Sequence, residues 1–304
     1  MIITIDGNPK LIREFLVDDF RLKVANEFKH EMVFSQGIGT SCANLIAQSK
    51  EEVLLVTYFD KEIGPIYKEK LGNPYLTIED VTIKDSIQEE VLIQDSKEST
   101  FLYSPMPRLT REEINGLFIK FQEQLPNAHV ALLLQQERDY FTGEFFSECV
   151  RIAYQKAIPN VVYTNEKDLD KIIGEKPYFL LVKKEDLEKW TNLKINFSHE
   201  AEKAANILFD QGVGNVLIIS KDTGAILCTK EKTFRLSSDK PKDFQLNMNF
   251  VATGIALGIE RKYDWETILK LGVAIGQVEE YFGRKPLDSA KIKETMNKFK
   301  VKEI

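Results

Sequence analysis

The stretch SHEAEKAANILFDQGVGNVLIIS, residues 198–220, decides the fold class. Ser198 can cap a helix over residues 200–211, in which Ala201, Ala204, Ala205 and Leu208 fall three and four apart and share one apolar stripe. Gly212 supplies the helix stop. Val216-Leu217-Ile218-Ile219 then follows without any polar alternation, which is the pattern of a strand buried on both faces. A helix that runs straight into such a strand is the repeating unit of a mostly parallel sheet covered on both sides.

The same kind of run recurs at residues 2–5, 53–58, 130–134, 161–163 and 179–182, each short and rich in β-branched side chains. Helical signals lie between them. Thr110-Arg111-Glu112-Glu113 reads as a capping box that opens a helix towards Gln124, and Asp264 can cap a helix over residues 265–281. The run from Lys285 predicts a solvated terminal helix. Residues 13–32 and 78–102 differ: they alternate apolar with charged side chains, as in Phe15-Leu16-Val17-Asp18 and Val81-Thr82-Ile83-Lys84. These predict antiparallel strands wet on one face, which could pair into a small sheet projecting from the main one.

The 304 residues carry 41 basic and 47 acidic side chains, a net charge of −6, with no Lys/Arg cluster. That argues against nucleic acid or an anionic membrane as a partner. The 3 cysteines, Cys42, Cys149 and Cys228, lack metal-ligand spacing, and their odd number suits a reducing cytoplasm. The start Met1-Ile2-Ile3-Thr4-Ile5-Asp6 lacks the pattern of a signal peptide, and no apolar run approaches the roughly 20 residues that span a bilayer. A soluble cytoplasmic protein is expected. The three histidines, His30, His129 and His199, are scattered and point to no metal or catalytic cluster. Tyr281 and Phe282, like Phe244 and Phe250, read as core or interface aromatics.

The chemistry-bearing stretch is Asn247-Met248-Asn249-Phe250-Val251-Ala252-Thr253-Gly254, followed by Ile255-Ala256-Leu257-Gly258-Ile259. It reads as the start of a buried helix, where free N–H groups and the helix dipole can hold an anion. Asn247 and Asn249 serve equally well as helix caps. No residue from Phe244 to Ile259 is charged.

Taken in order, these segments resemble the ribokinase-like (PfkB) sugar kinases, nearest the 1-phosphofructokinase and tagatose-6-phosphate kinase branch. Ile3 to Ile12 resembles that branch's opening strand and Asn-Pro-Ala-Ile-Asp turn, with Asn8-Pro9 retained. Gln36-Gly37-Ile38-Gly39-Thr40-Ser41-Cys42-Ala43 resembles its Gly-Gly-Lys-Gly-x-Asn-x-Ala signature. Gly212 to Ser220 resembles the strand that leads to the nucleotide site. Residues 247–258 stand in the place of Gly-Ala-Gly-Asp-Ser, and Tyr263-Asp264-Trp265-Glu266 continues in register. The resemblance implies a three-layer αβα sandwich in one domain with a β-sheet lid. It further implies a sugar held between the two, and ATP with Mg at the C-terminal edge of the sheet. In such kinases the Gly-Ala-Gly amides hold the transferring phosphoryl group and the aspartate takes the proton from the sugar hydroxyl.

On this alignment the working residues are changed. Asn249 stands at the position of the base, and an amide is not basic near pH 7; losing a positioned base costs about 10²–10⁴ in rate. Asn247 and Met248 replace the two glycines of the phosphate loop. At the sugar end Ile12 replaces a carboxylate, Ile38 a lysine and Ser41 an asparagine, while Gly37 and Gly39 are kept. At the nucleotide end Lys183 stands where an asparagine would help place the metal–phosphate complex. Asp186 keeps a carboxylate there, which could equally cap a helix. Ser220 and Gly224 are retained in a loop that is one residue short, and the Gly-Ser-Leu-Pro stretch expected near Gln135-Gln136-Glu137 is absent. The expectation is a sugar-kinase fold that has lost phosphoryl transfer and serves as a ligand-binding or regulatory protein. A divergent, active phosphosugar kinase and an interaction protein without a ligand remain as alternatives. A homodimer joined through lid edges suits all three.

Overall fold

In a computed structural model the described residues are 1–134, 143–221, 224–238, 244–278 and 287–304. The expectations placed on Gln135-Gln136-Glu137, on Tyr281 and Phe282 and on Lys285 lie outside them. The predicted buried runs form the middle of the main sheet: β1 (Ile2–Ile5), β4 (Val53–Phe59), β8 (Val130–Leu134), β9 (Asn160–Tyr163), β10 (Phe179–Lys183) and β11 (Asn215–Ser220). Each is buried along nearly its whole length, because helices cover both faces and leave no wet side.

Four more strands complete that sheet: β5 (Leu76–Thr82), β12 (Gly224–Cys228), β13 (Thr233–Ser237) and β14 (Lys300–Glu303). The order is β14-β13-β12-β11-β10-β9-β8-β1-β4-β5, parallel from β11 to β5, with the last three added antiparallel at one edge. Successive strands leave β1 in opposite directions: β4 lies on one side of it and β8 on the other. This reversal opens a crevice outside the C-terminal ends of the strands, the usual ligand position in such sheets. The α/β architecture with a mostly parallel sheet is the one expected.

The second sheet has the order β3-β2-β6-β7, built from β2 (Lys10–Leu16), β3 (His30–Gln36), β6 (Gln88–Gln94) and β7 (Ser99–Tyr103). Residues 13–32 therefore contribute to the small sheet as expected. The stretch 78–102 is divided: β6 and β7 join the small sheet, but β5 pairs in parallel with β4 at the edge of the main one. An edge strand has a half-open face, so β5 alternates like a lid strand while belonging elsewhere.

Around the sheets lie α1 (Ile38–Gln48), α2 (Gly64–Lys70), α3 (Arg111–Gln124), α4 (Gly143–Gln155), α5 (Glu166–Gly174), α6 (Lys184–Thr191), α7 (Ser198–Asp210), α8 (Met248–Glu260), α9 (Trp265–Gly276) and α10 (Ser289–Lys298). Thr110 and Glu113 close the expected capping box on α3, and the Asp264 side chain accepts from the Thr267 N–H at the start of α9. Ser198 does not cap α7. The Glu200 carboxylate accepts the N–H groups of Asn196 and Phe197 at 2.6 and 3.0 Å, so the helix begins at Ser198 itself. The terminal helix α10 is followed by β14, which the sequence reading did not anticipate. No helix among the described residues is long and apolar enough to cross a membrane.

Candidate functional site

The crevice at β1 is built by three segments: the turn that leaves β1, the start of α1 and the start of α8. Asp6 follows the last residue of β1 and is fully buried. Its Oδ1 accepts the Asn8 N–H at 3.0 Å and its Oδ2 the Thr40 N–H at 2.9 Å. Thr40 lies in the first turn of α1, so a side chain of the chain itself occupies that helix start. The fit demands glycine at two places. A methyl group on Gly37 would sit 1.9 Å from Asp6 Oδ2, and one on Gly39 would sit 2.3 Å from the Ile5 carbonyl oxygen. The retained glycines thus let α1 close on the end of β1. Ile38 opens α1 and packs against the core. The Ser41 N–H bonds the Gly37 carbonyl at 2.8 Å.

At α8 the Asn247 side chain accepts the N–H groups of Asn249 and Phe250 at 3.1 and 3.3 Å, and its carbonyl accepts that of Val251 at 2.9 Å. The Val251 bond is the first of the helix itself; of the four N–H groups that open α8, those of Asn249 and Phe250 end on the Asn247 side chain and that of Asn247 donates to the Gly276 carbonyl at 2.8 Å. Met248 is buried against the core. The Asn249 carbonyl accepts from the Thr253 hydroxyl at 2.8 Å and from the Cys42 thiol at 3.7 Å, which ties α8 to α1. Asn249 Oδ1 is a buried acceptor with no partner among the described residues. Asn8 Oδ1, on the turn after β1, is another.

Ile12 lies elsewhere. It is buried within the lid sheet, opposite Phe34 on β3 and Glu90 on β6. On the same strand the Lys10 ammonium pairs with Glu90 at 3.0 Å. The residues expected at the nucleotide end lie at the C-terminal ends of β10 and β11, where β12 begins. Lys183, exposed, ends β10 beside Ile219, and Ser220 pairs with Gly224 in the β11–β12 hairpin. Gly224 has φ of +94° and approaches the Leu236 carbonyl, so the backbone alone accounts for a glycine there. Asp186 sits within the first turn of α6, not at its cap, and burial raises its carboxyl above the usual range.

Among the described residues no group of three or more His, Cys, Asp and Glu side chains could hold a metal ion. His129 bonds Glu260 at 2.9 Å, and His199 stacks on Phe197. All three cysteines are buried and none forms a disulfide; burial pushes the Cys228 thiol up to about 12. Asp6, with Thr40 and Tyr67 behind it, escaped the sequence reading. The available signal was position: a charged residue directly after a short, isoleucine-rich strand of a parallel sheet.

No protein-family model and no curated protein matches the chain. Crystal structures do. A candidate phosphofructokinase from Staphylococcus aureus superposes with a TM-score of 0.88 over 100% of this chain and 99% of its own, at 17% identity. A candidate 1-phosphofructokinase from Thermotoga maritima gives 0.76 over 100% and 99%, also at 17% identity. Phosphofructokinase-2 from Escherichia coli, crystallised with substrates and products, gives 0.75 over 97% and 98%, at 15% identity. The fold is the ribokinase-like fold of PfkB sugar kinases. The shared fold extends over the whole chain, including the small sheet.

Proposed function

We propose that this chain is a sugar-kinase-fold protein that binds a small ligand between sheet and lid and does not transfer a phosphoryl group. The observation that carries the reading is the state of α8. Its opening N–H groups are capped by Asn247, and the residue aligned with the kinase base is an amide, Asn249. Asp6, the carboxyl group at the end of β1, is committed to Thr40 and Asn8. The residues present therefore do not fit a transferring phosphoryl group or its Mg. A disabled donor costs on the order of 10²–10³ in rate and a missing base about 10²–10⁴.

Ligand binding is favoured over a purely structural role by Asn249 Oδ1 and Asn8 Oδ1, two buried acceptors left without partners among the described residues. Such groups call for a donor, which a sugar hydroxyl would supply. Thermal-shift screening with ATP, ADP and hexose phosphates tests the reading, since a ligand at 100 times its Kd adds about 2.7 kcal/mol. A shift without turnover supports it. Robust phosphorylation of fructose 1-phosphate or tagatose 6-phosphate in a coupled assay would sink it.

We also propose that two copies associate through the lid, in a reducing cytoplasm. Strand β7 is one of the two edges of the lid sheet and all five of its residues are exposed, among them Phe101, Leu102 and Tyr103. Another solved form of the Escherichia coli phosphofructokinase-2 is tetrameric.

A further inference from the structure

The buried Asp6 carboxyl, at the root of the lid, does more than accept the Asn8 and Thr40 amides. Three oxygen–oxygen contacts lead away from Asp6 in sequence. Asp6 Oδ2 is 2.5 Å from Thr40 Oγ1, Thr40 Oγ1 is 2.7 Å from the Tyr67 hydroxyl, and that hydroxyl is 2.7 Å from the Gln36 carbonyl oxygen. These are O–H···O distances, so each contact needs one proton between its two oxygens. Thr40 and Tyr67 carry one hydroxyl proton apiece and a carbonyl carries none. With Asp6 ionised, two protons would have to serve three contacts. One pair of oxygens would then meet lone pair to lone pair. The neighbouring N–H donors do not fill the gap, because those of Thr40 and Asn8 both end on Asp6 itself.

We propose that Asp6 is carried as the neutral acid and donates into a one-way chain, Asp6 to Thr40 to Tyr67 to the Gln36 carbonyl, which latches the lid to the sheet. The third proton satisfies every contact. It also gives the chain a direction, since each hydroxyl then accepts from one neighbour and donates to the next. Burial acts in the same sense on the acid, and outweighs the opposing pull of the Thr40 hydroxyl, of the Asn8 and Thr40 amides and of the Lys10 charge. Burial, the largest influence, holds Tyr67 well above its ordinary value, so it remains a donor.

Few other charges face the site. The Lys10 ammonium is engaged with Glu90 on β6. Tyr58 on β4 donates to the Gly7 carbonyl at 2.9 Å. Asp60, just after β4, is turned to the amides of Glu62, Ile63 and Ile87. Helix α1 has no charged side chain, and α8 has only Glu260 at its far end.

The end of the chain of bonds gives it a consequence. Gln36 is the last residue of β3, and Gly37 begins the turn into α1, so the Gln36 carbonyl marks the point where the lid rejoins the main domain. When Asp6 ionises, the Thr40 proton must turn wholly to it. Tyr67 can then bond Thr40 or the Gln36 carbonyl, but not both. The latch is closed by acid and loosened by base.

The test is a ¹³C NMR titration of the full chain labelled at aspartate, with Asp6 assigned through the backbone so that no substitution is needed. An ordinary aspartate ionises near about pH 3.9. The Asp6 carboxyl carbon is expected to keep its protonated shift at a pH where an ordinary aspartate is already ionised. Ionisation of Asp6 by that pH overturns the proposal. Tyr67→Phe removes two contacts and one proton, so the Thr40 proton alone serves the one remaining contact with Asp6 ionised, and the midpoint should move down. A midpoint unmoved by Tyr67→Phe would show that the chain does not hold the proton. Amide protection at residues 36–41 should fall as wild-type Asp6 ionises, and this fall should be smaller in Tyr67→Phe.

Discussion

At Asn247 a single amide oxygen takes the N–H groups of Asn249 and Phe250, and an anion at this helix start would have to displace it. Replacing the residue separates the two roles. Asn247→Ala removes the cap and should cost about 1 kcal/mol in urea denaturation, whereas Asn247→Gly should cost only a few tenths. The glycine variant also uncovers the N–H groups. Inorganic phosphate should therefore raise the Tm of Asn247→Gly and leave that of the parent unchanged; equal shifts in the two would show that the cap blocks nothing. Asn249→Asp restores a carboxylate at the aligned base position, but Asn247, Ile12 and Lys183 remain. Kinase turnover is expected to stay absent in that variant, and its recovery by this one change would mean that the other sites had kept their function.

Helix α8 is positioned by small residues as much as by its cap. A methyl group on Gly254 would meet Gly272 Cα at 2.7 Å and the Leu271 carbonyl at 2.9 Å, and one on Gly276 would meet Val251 at 2.4 Å. Helices α8 and α9 thus pack backbone to backbone. Gly254→Ala is expected to destabilise the protein by roughly 1–3 kcal/mol, because the neighbouring atoms are backbone and cannot swing aside. Gly174, the last residue of α5, has nothing within 4 Å of the position a methyl would take. Gly174→Ala should be neutral or stabilise by up to about 1 kcal/mol, and similar losses at both glycines would reject the packing account. The same elements show what a sequence exposes. The central strands were legible because burial on both faces leaves an unbroken apolar run, as in β1 and β8. Strand β5 was not, since an edge strand alternates whether it borders a large sheet or a lid. Ser198 looked like a cap, but the helix starts at Ser198 itself, with Glu200 reaching back to the Asn196 and Phe197 amides. Asp6 carried a signal only in its position after β1, because Thr40 on α1 and Tyr67 on α2 are distant from it in sequence and join it only in the fold.

For the molecule as a whole, the lid edge and the charge pattern each make a claim about solution behaviour. If two copies pair through β7, charging that edge with Leu102→Lys and Tyr103→Glu should halve the mass measured by light scattering; a parent that is already monomeric would refute the association. The pH dependence follows from carboxyl groups that act in opposite directions. The Thr267 N–H foremost holds the Asp264 carboxylate below its usual range. For Glu113, burial is the largest influence and pushes upward, but the Thr110 and Lys84 amides outweigh it. A folded value below the unfolded one gives stability that is present above the unfolded pKa, about 4, and is lost as pH falls through the folded value. Asp6 has the opposite sign. Its folded value is raised, so its contribution is complete below about pH 3.9 and is lost as pH rises through the folded value. Difference curves isolate the two. Relative to the parent, Asp264→Asn should lose stability above about pH 4 and converge with it in acid, because the parent's advantage needs an ionised cap. Tyr67→Phe should differ from the parent most in acid, where the parent's chain is complete, and the gap should narrow as pH rises and Asp6 ionises. A gap that widened towards neutral pH would place the proton elsewhere than on Asp6.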